Sequence, residues 1–130
     1  MQDPNVPSIR RVVTGHDEHG KAIVLIDEVC QHFRQGRGNA FVCNIWTTDT
    51  VPANNDGDRD GGLREGKFTM INDGSVFRIL DFRPGVEARM HRTDSIDYLV
   101  VMKGEIHMEL DDGVEVHLKA GDVMVQRGTI

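Results

Sequence analysis

The chain has 130 residues, with 21 acidic and 15 basic side chains and a formal net charge of -6. A chain of this length buries roughly two-thirds of its unfolded surface in one core, so we expect a single domain. The negative charge argues against nucleic acid or an anionic membrane as partner, because both require a positive surface. A small-molecule or protein partner is expected instead.

The chain contains two cysteines, Cys30 and Cys43. Their spacing matches neither a zinc ribbon nor a redox pair, so both are interpreted as buried thiols in a reducing compartment. The N-terminal residues show no basic segment followed by an apolar one, as a secretory signal would. No apolar run reaches the roughly 18 residues that span a bilayer. A cytoplasmic protein is therefore expected.

The first elements in chain order are an arm and a hairpin. Residues 1–9 carry two of the four prolines and no hydrophobic periodicity, which predicts an N-terminal arm. Two β-branched runs follow, Arg11–Thr14 and Ala22–Ile26, and a polar connection bounded by glycines joins them. This pattern predicts a β-hairpin with His16 and His19 at its exposed tip.

Residues 27–39 allow two interpretations. Asp27 as an N-cap, with Val29 and Phe33 four apart on one face, fits a short helix that the nearby glycines would end. A loop with a buried Phe33 is the alternative. In either case His32 is expected only at the surface or in packing.

The run Ala40–Thr47 is mostly apolar and predicts a strand that is partly buried on both faces. Trp46 within it is expected in the core or in a pocket wall. Residues 52–62 are polar and rich in glycine, which predicts a long exposed loop.

That loop partly matches a calcium-binding motif. Asp56, Asp58 and Asp60 repeat the first half of an EF-hand loop, but the twelfth position is Lys67, where a bidentate glutamate is required. We interpret the segment as a solvated acidic loop.

From residue 67 onward, alternating hydrophobicity predicts antiparallel strands joined by short turns. The predicted strands are Phe68–Ile71, Val76–Arg83, Glu87–Thr93, Asp97–Met102, Glu105–Leu110, Val114–Leu118 and Asp122–Gln126. So many short strands predict an all-β sandwich or barrel. His107 and His117 alternate with apolar residues on two of them, so they are expected to face solvent.

One stretch combines glycines with polar residues at regular separations. Its members are Gly85, His91, Thr93, Asp97 and Gly104. The numbers of residues between consecutive members are five, one, three and six. Alternation along a strand puts Arg89 on the same face as the histidine and the threonine. A second pair, Gly121-Asp122, precedes the last predicted strand.

These two motifs resemble those of the cupin superfamily, and their amino-acid sequences are similar to those of small single-domain cupins of the cupin-2 type. The first cupin motif has a glycine, His-x-His, a glutamate and a glycine at these separations, and the second begins with Gly-Asp. The resemblance covers residues 76–130. It implies an all-β, antiparallel double-stranded β-helix, the jelly-roll barrel, over residues 10–130, with a site in its interior.

The resemblance implies a metal site, of which this chain retains only part of the ligand set. Cupins hold their metal with three histidines and one glutamate, whereas this chain has Thr93 at the second histidine position and Asp97 at the glutamate position. Only His91 is unaltered, and the fourth position would follow Ile130, where we expect that the chain is truncated or completed by a second subunit. One imidazole, one hydroxyl and one carboxylate suit a first-row metal poorly. The expected cofactor is a divalent transition metal (Fe, Mn, Ni or Zn) on His91 and Asp97.

The resemblance also implies roles for the site residues. His91 is expected to be a metal ligand or general acid/base tuned by Asp97. Arg89 is expected to anchor a carboxylate or phenolate, with Thr93 and Trp46 beside the substrate. The alternative is a structural role, in which His91 and Asp97 form a hydrogen-bonded pair and Thr93 fills a gap.

The implied function is the binding of a small organic acid or aromatic metabolite in the barrel interior, in an expected homodimer. The chemistries of such cupins include metal-dependent decarboxylation, dioxygenation and isomerisation. A non-catalytic ligand-binding cupin that has lost its metal site is the second candidate, and a purely structural dimeric protein is the third.

Overall fold

The structure is a computed structural model that describes residues 8–36, 40–66, 68, 70–85 and 94–128. Across these ranges the chain forms nine strands, all paired antiparallel. The strands are β1 (Arg10–His16), β2 (Ala22–Val29), β3 (Arg34–Gln35), β4 (Phe41–Thr48), β5 (Ser75–Asp81), β6 (Ile96–Val100), β7 (Glu105–Glu109), β8 (Glu115–Lys119) and β9 (Val123–Arg127). The predicted all-β, antiparallel fold class is confirmed. None of the helices in the described ranges is long and apolar enough to cross a membrane.

The first of two compact units, Met1–Val86, contains β1 to β5. Strands β1 and β2 form the predicted hairpin, and β3, β4 and β5 form a sheet with β4 in the centre. β5 pairs along most of one edge of β4, whereas β3 pairs only with Phe41 and Val42 on the other edge. The β4 side chains Val42, Cys43, Asn44 and Thr47 are all buried. The prediction of a strand partly buried on both faces is confirmed.

A bulge interrupts the pairing of β4 with β5 between Asn44 and Trp46. The extra residue, Ile45, has no partner in the register, and its carbonyl accepts a hydrogen bond of 3.2 Å from Nη1 of Arg11. Bulges of this kind re-aim the side chains that follow them. The bulge therefore connects the sheet to the hairpin through a buried cation.

Arg11 on β1 is only 2% exposed, and it organises the polar interior of this unit. Its Nη1 and Nη2 atoms each donate to one carboxylate oxygen of Asp60, both at 2.7 Å. Nη2 also donates to Oε1 of Glu28 at 2.5 Å. A bidentate pair with a second carboxylate supplies the compensation that a buried guanidinium needs.

The end of the loop predicted to be exposed is buried instead. Asp60 accepts a hydrogen bond from the backbone N–H of Gly62 at 2.8 Å and so begins a 3₁₀ turn, Gly61–Leu63. A Cβ added to Gly61 would lie 2.9 Å from the indole carbons of Trp46, so only glycine fits between the turn and β4. The prediction of an exposed loop is wrong for residues 60–62 and holds for residues 52–59, which are exposed.

One of the two interpretations of residues 27–39 and one predicted strand are wrong in this unit. The helix considered for residues 27–39 is absent from its described part, because β2 continues to Val29 and pairs there with β1. Pairing with another strand has overridden a local helix signal. The strand predicted over Phe68–Ile71 does not form at residues 68, 70 and 71, although the side chain of Ile71 is buried.

The second unit, Glu87–Ile130, contains the ladders β6–β9 and β7–β8. These strands begin and end within two residues of the predicted bounds, whereas the predicted strand Glu87–Thr93 lies outside the described residues. His107 and His117 face each other across β7 and β8 with ring centroids 4.2 Å apart. Both are exposed, as predicted. The single barrel domain predicted over residues 10–130 stays a prediction.

Candidate functional site

The sequence motif is only partly within the described residues. Arg89, His91 and Thr93 lie outside them, so their predicted roles stay predictions. Asp97 is the second residue of β6, where it is exposed and accepts a hydrogen bond of 2.8 Å from Oγ of Ser95. Of the predicted motif ligands, the structure therefore describes this carboxylate alone.

Two motif glycines occupy backbone positions that other residues adopt at a cost. Gly85 and Gly104 have φ angles of 85° and 76°, in the left-handed region. An L side chain is disfavoured there, whereas glycine is not. The glycines of the motif therefore make the turns that bound it.

Trp46 lies in the wall of a pocket of about 270 Å³ in the first unit, as the sequence analysis allowed. The pocket lies between the hairpin and the loop after β4. Its lining residues are Thr14, Gly15, His16, Leu25, Trp46, Asn54, Asn55, Asp56, Gly57 and Arg59. The pocket is smaller and more polar than most small-molecule sites, and Trp46 supplies its one aromatic wall.

Arg59 places a cation in this pocket. The side chain is exposed, and its Nη2 atom donates to the carbonyl of Thr47 at 3.3 Å. That contact holds the guanidinium near β4 while leaving other N–H groups for a ligand. Asp56 lies in the same lining and contributes a negative charge.

A second group of functional side chains lies between β2 and β4. Cys30 directly follows β2, and its backbone N–H donates to the carbonyl of Ile9 at 2.8 Å. His32 lies two residues further along the same connection, and Cys43 lies in β4. One ligand atom from each of these three side chains falls within 4.8 Å of the others. We call these three residues the Cys-His-Cys group.

The imidazole of the group is held by hydrogen bonding. Nε2 of His32 donates to the carbonyl of Asn44 at 2.7 Å and lies 3.6 Å from Sγ of Cys43. Both cysteine side chains are free thiols with no exposed surface, while His32 is half-buried. The prediction of buried thiols is confirmed.

Burial, with a smaller contribution from the neighbouring Cys30, raises the pKa of the Cys43 thiol to about 12. The guanidinium of Arg11 acts in the opposite direction. At neutral pH the thiol is therefore protonated and a weak nucleophile. A cation that replaces its proton would change this state, because a thiol that coordinates a metal is deprotonated.

Sequence reasoning missed the Cys-His-Cys group. Its local signal is Cys-x-His at positions 30 to 32, since alternate residues of an extended segment can lie on one side. Cys43 comes from a different strand, and its approach depends on how β4 packs. The separation of the two cysteines in the sequence therefore does not reveal the Cys-His-Cys group.

Comparison with known proteins gives the family. No protein-family model matches the chain. It is 38% identical to a cupin-domain-containing oxidoreductase of Aspergillus ruber over 124 residues, which are 92% of this chain and 60% of that protein. It is 38% identical to phomopsin biosynthesis cluster protein D of Diaporthe leptostromiformis over 134 residues, 98% of this chain and 71% of the relative. A cupin-domain-containing oxidoreductase of Hypocrea virens is 37% identical over 131 residues, 95% of this chain and 66% of that protein.

The chain belongs to the cupin family. Membership agrees with the all-β, antiparallel structure and with the fold class predicted from the sequence. The chain spans about 60% of the length of the Aspergillus ruber relative. The similarity to these relatives extends over both compact units, and so includes the part of the first unit that precedes residue 76.

Proposed function

We propose that this cupin is an oxidoreductase that acts on a small organic acid or aromatic metabolite in a biosynthetic pathway. The observation that carries the proposal is the 37–38% identity to two cupin-domain-containing oxidoreductases over more than nine-tenths of the chain. The name of a third relative places it in a biosynthesis cluster. Among the chemistries expected for such a cupin, these names favour dioxygenation over decarboxylation and isomerisation.

The pocket beside Trp46 supports a small substrate. Its volume of about 270 Å³ lies just below the range of about 300–1,000 Å³ for pockets that bind drug-sized ligands, so it suits a smaller metabolite. The indole ring offers an apolar face, and Arg59 offers a cation for a carboxylate or phenolate. We place the binding of the substrate's acidic group at Arg59, with the aromatic or aliphatic part against Trp46.

The motif residues give little support to a metal of the usual cupin kind. Thr93 and Asp97 replace a histidine and a glutamate, so the three motif positions within residues 1–130 supply one imidazole, that of His91. Asp97 is exposed and already accepts a hydrogen bond from Ser95. This donor set does not fit a first-row transition metal well, so we derive no catalytic step through a metal at this position.

The same observation favours a second candidate, a cupin that binds its ligand without transforming it. Loss of two of the three motif ligands would leave a barrel that holds a small molecule. The two candidates make different predictions for His91, which would be essential for turnover in an enzyme. A binding protein has no turnover to lose, and because we place the ligand at Arg59 and Trp46, its affinity should not depend on His91 in either case.

A ligand screen followed by turnover measurements tests the proposal. The full chain is mixed with small aromatic and aliphatic carboxylic acids, and binding is measured by thermal shift, because a ligand of the native state raises its stability. Each ligand that binds is then incubated with the protein under air, with and without added Fe²⁺ or Mn²⁺, and products are identified by mass spectrometry. His91→Ala is assayed beside the wild type.

Oxidised product from the wild type, with at least about 100-fold less from His91→Ala, supports the oxidoreductase. Tight binding with no product under any condition contradicts it and supports the binding protein. Sedimentation of the same samples tests the expected homodimer, which stays a prediction.

A further inference from the structure

We propose that Cys30, His32 and Cys43 form a binding site for a thiophilic metal ion, with Zn²⁺ as the ion that the site selects. This site lies apart in sequence from the cupin motif residues, and the inference does not rest on the proposed function. It rests on the geometry, burial and chemistry of the Cys-His-Cys group.

The distances agree with tetrahedral coordination. With Zn–S bonds of about 2.3 Å and a Zn–N bond of about 2.0–2.1 Å, a sulfur and a nitrogen ligand lie about 3.5 Å apart. Sγ of Cys43 and Nε2 of His32 are 3.6 Å apart. The three ligand atoms all fall within 4.8 Å of one another, so the remaining movement is on the order of 1 Å, which cysteine side-chain rotation can supply.

The ligand types select the ion. Two thiolates and one imidazole favour Zn²⁺ or another soft cation over Mg²⁺, Ca²⁺ and Mn²⁺, which prefer oxygen. A carbonyl oxygen is also at hand, because that of Asn44 lies 2.7 Å from Nε2 of His32 and 3.9 Å from Sγ of Cys43. Three protein ligands leave a fourth position of the tetrahedron, which this oxygen or a small ligand would fill.

Coordination exchanges one set of favourable contacts for another. Without metal, the proton on Nε2 of His32 is shared with the carbonyl of Asn44. With metal, Nε2 is a ligand, and its proton moves to Nδ1, so the ring turns its lone pair from the carbonyl toward the cation. Each cysteine releases its proton to solvent as a thiolate–metal bond forms.

Charge explains why a cation is needed for the two thiolates. Both sulfurs are in side chains with no exposed surface, so an uncompensated thiolate there would be costly. A divalent cation with two thiolates is neutral in sum. Metal binding is therefore a way for this interior to hold two deprotonated cysteines.

A disulfide between Cys30 and Cys43 is the main alternative for a pair of adjacent thiols. It would require the two sulfurs to approach to about 2.05 Å, and the imidazole of His32 would take no part in the bond. The close approach of Nε2 to Sγ of Cys43 favours a site that uses all three side chains.

Metal content of the full chain and of four variants tests the proposal. The protein is purified under reducing conditions, equilibrated with Zn²⁺ alone and dialysed, and zinc per chain is measured by elemental analysis. Titration with Co²⁺ adds a spectroscopic signature, since thiolate ligands give an intense charge-transfer absorption. The site variants are Cys43→Ser and His32→Gln, and the control variants are His91→Ala and His107→Gln.

His32→Gln protects the test against misfolding. The residue is half-buried, and the glutamine amide keeps a donor for the carbonyl of Asn44. Thermal unfolding of each metal-free variant confirms that it folds before its affinity is measured.

We expect one zinc per chain in the wild type and a thiolate-to-Co²⁺ absorption band. Both site variants should lose at least about 100-fold in zinc affinity, because changes even outside the ligand shell lower metal affinity about 10–100-fold. Both control variants should keep the zinc. Two results would overturn the proposal: no bound zinc in the wild type, or zinc that both site variants bind with unchanged affinity.

Discussion

Replacing Asp60 with asparagine tests the role assigned to the buried cation. Asparagine keeps the shape of the side chain and can still accept the hydrogen bond from the N–H of Gly62, but it removes the charge. It also places an N–H₂ group opposite a guanidinium nitrogen of Arg11, where a carboxylate oxygen now accepts a bond of 2.7 Å. One charge-assisted hydrogen bond is lost, and the other is weakened.

The cost follows from the burial of the pair. The side chain of Arg11 is 1% exposed and that of Asp60 is 20% exposed, so solvent screens their interaction little. Removing one partner of a buried ion pair costs about 3–5 kcal/mol. Because Glu28 remains beside the guanidinium, we expect the lower end, a decrease of about 3 kcal/mol in the free energy of unfolding at pH 7.

The loss should depend on pH. The hydrogen bonds from Arg11 hold the pKa of Asp60 below its ordinary value, and burial opposes this less strongly. A group with a lowered folded-state pKa stabilises the protein fully above its unfolded pKa of about 3.9, and this contribution is lost as the pH falls through the folded-state pKa. The difference between wild type and Asp60→Asn should therefore be largest at pH 6–7 and shrink below about pH 4.

Urea denaturation of both proteins between pH 3 and pH 7 measures this difference, with Asp27→Asn as a matched control. Asp27 also accepts two hydrogen bonds from an arginine, Arg10, but in an exposed pair on the same hairpin. Exposed pairs contribute little, so the control should lose much less stability. Equal losses in the two variants, or a loss for Asp60→Asn that does not change with pH, would refute the role given to burial.

Three further experiments test the core, the thiols and the pocket. Gly61→Ala is expected to lower the free energy of unfolding by about 1–3 kcal/mol, because its Cβ would overlap the indole ring of Trp46, and urea denaturation measures this. In metal-free protein, Cys30 and Cys43 should resist a thiol reagent until denaturant is added, since both are fully buried; rapid labelling of native protein would contradict this. Arg59→Gln should weaken binding of an aromatic carboxylate by about 10-fold, as followed through the emission of the single tryptophan, and unchanged affinity would remove Arg59 from the proposed site.

The strand pattern was predictable because its signal is local. Glu105–Glu109 and Glu115–Lys119 alternate apolar and polar residues around a glycine-containing turn, and alternation assigns the faces without knowledge of the rest of the fold. The same local reasoning failed at residues 27–36, where Asp27 resembles a helix cap. There the chain pairs with β1 as far as Val29, and the sequence of the segment does not identify β1 as its partner.

The candidate site was less predictable for the same physical reason. Trp46 was identified as a possible pocket wall from its place in an apolar strand, but the loop residues opposite it, including Arg59, were assigned only to a solvated loop. Asp60 was interpreted as part of a calcium-like sequence, whereas its carboxylate is bound to Arg11. Contacts between residues about fifty positions apart depend on the packing of the hairpin against β4, which a local pattern does not encode.

Charge connects the buried arginine with the Cys-His-Cys group. Arg11, Asp60 and Glu28 carry one positive and two negative charges. The guanidinium lowers the pKa of the Cys43 thiol and the carboxylate of Glu28 raises it, but burial dominates both and keeps the thiol protonated. Two thiolates without a cation would add two negative charges beside a network that already sums to -1. At the proposed site a divalent cation would cancel both of these charges, and the number of protons released on zinc binding would count the cysteines that become thiolates.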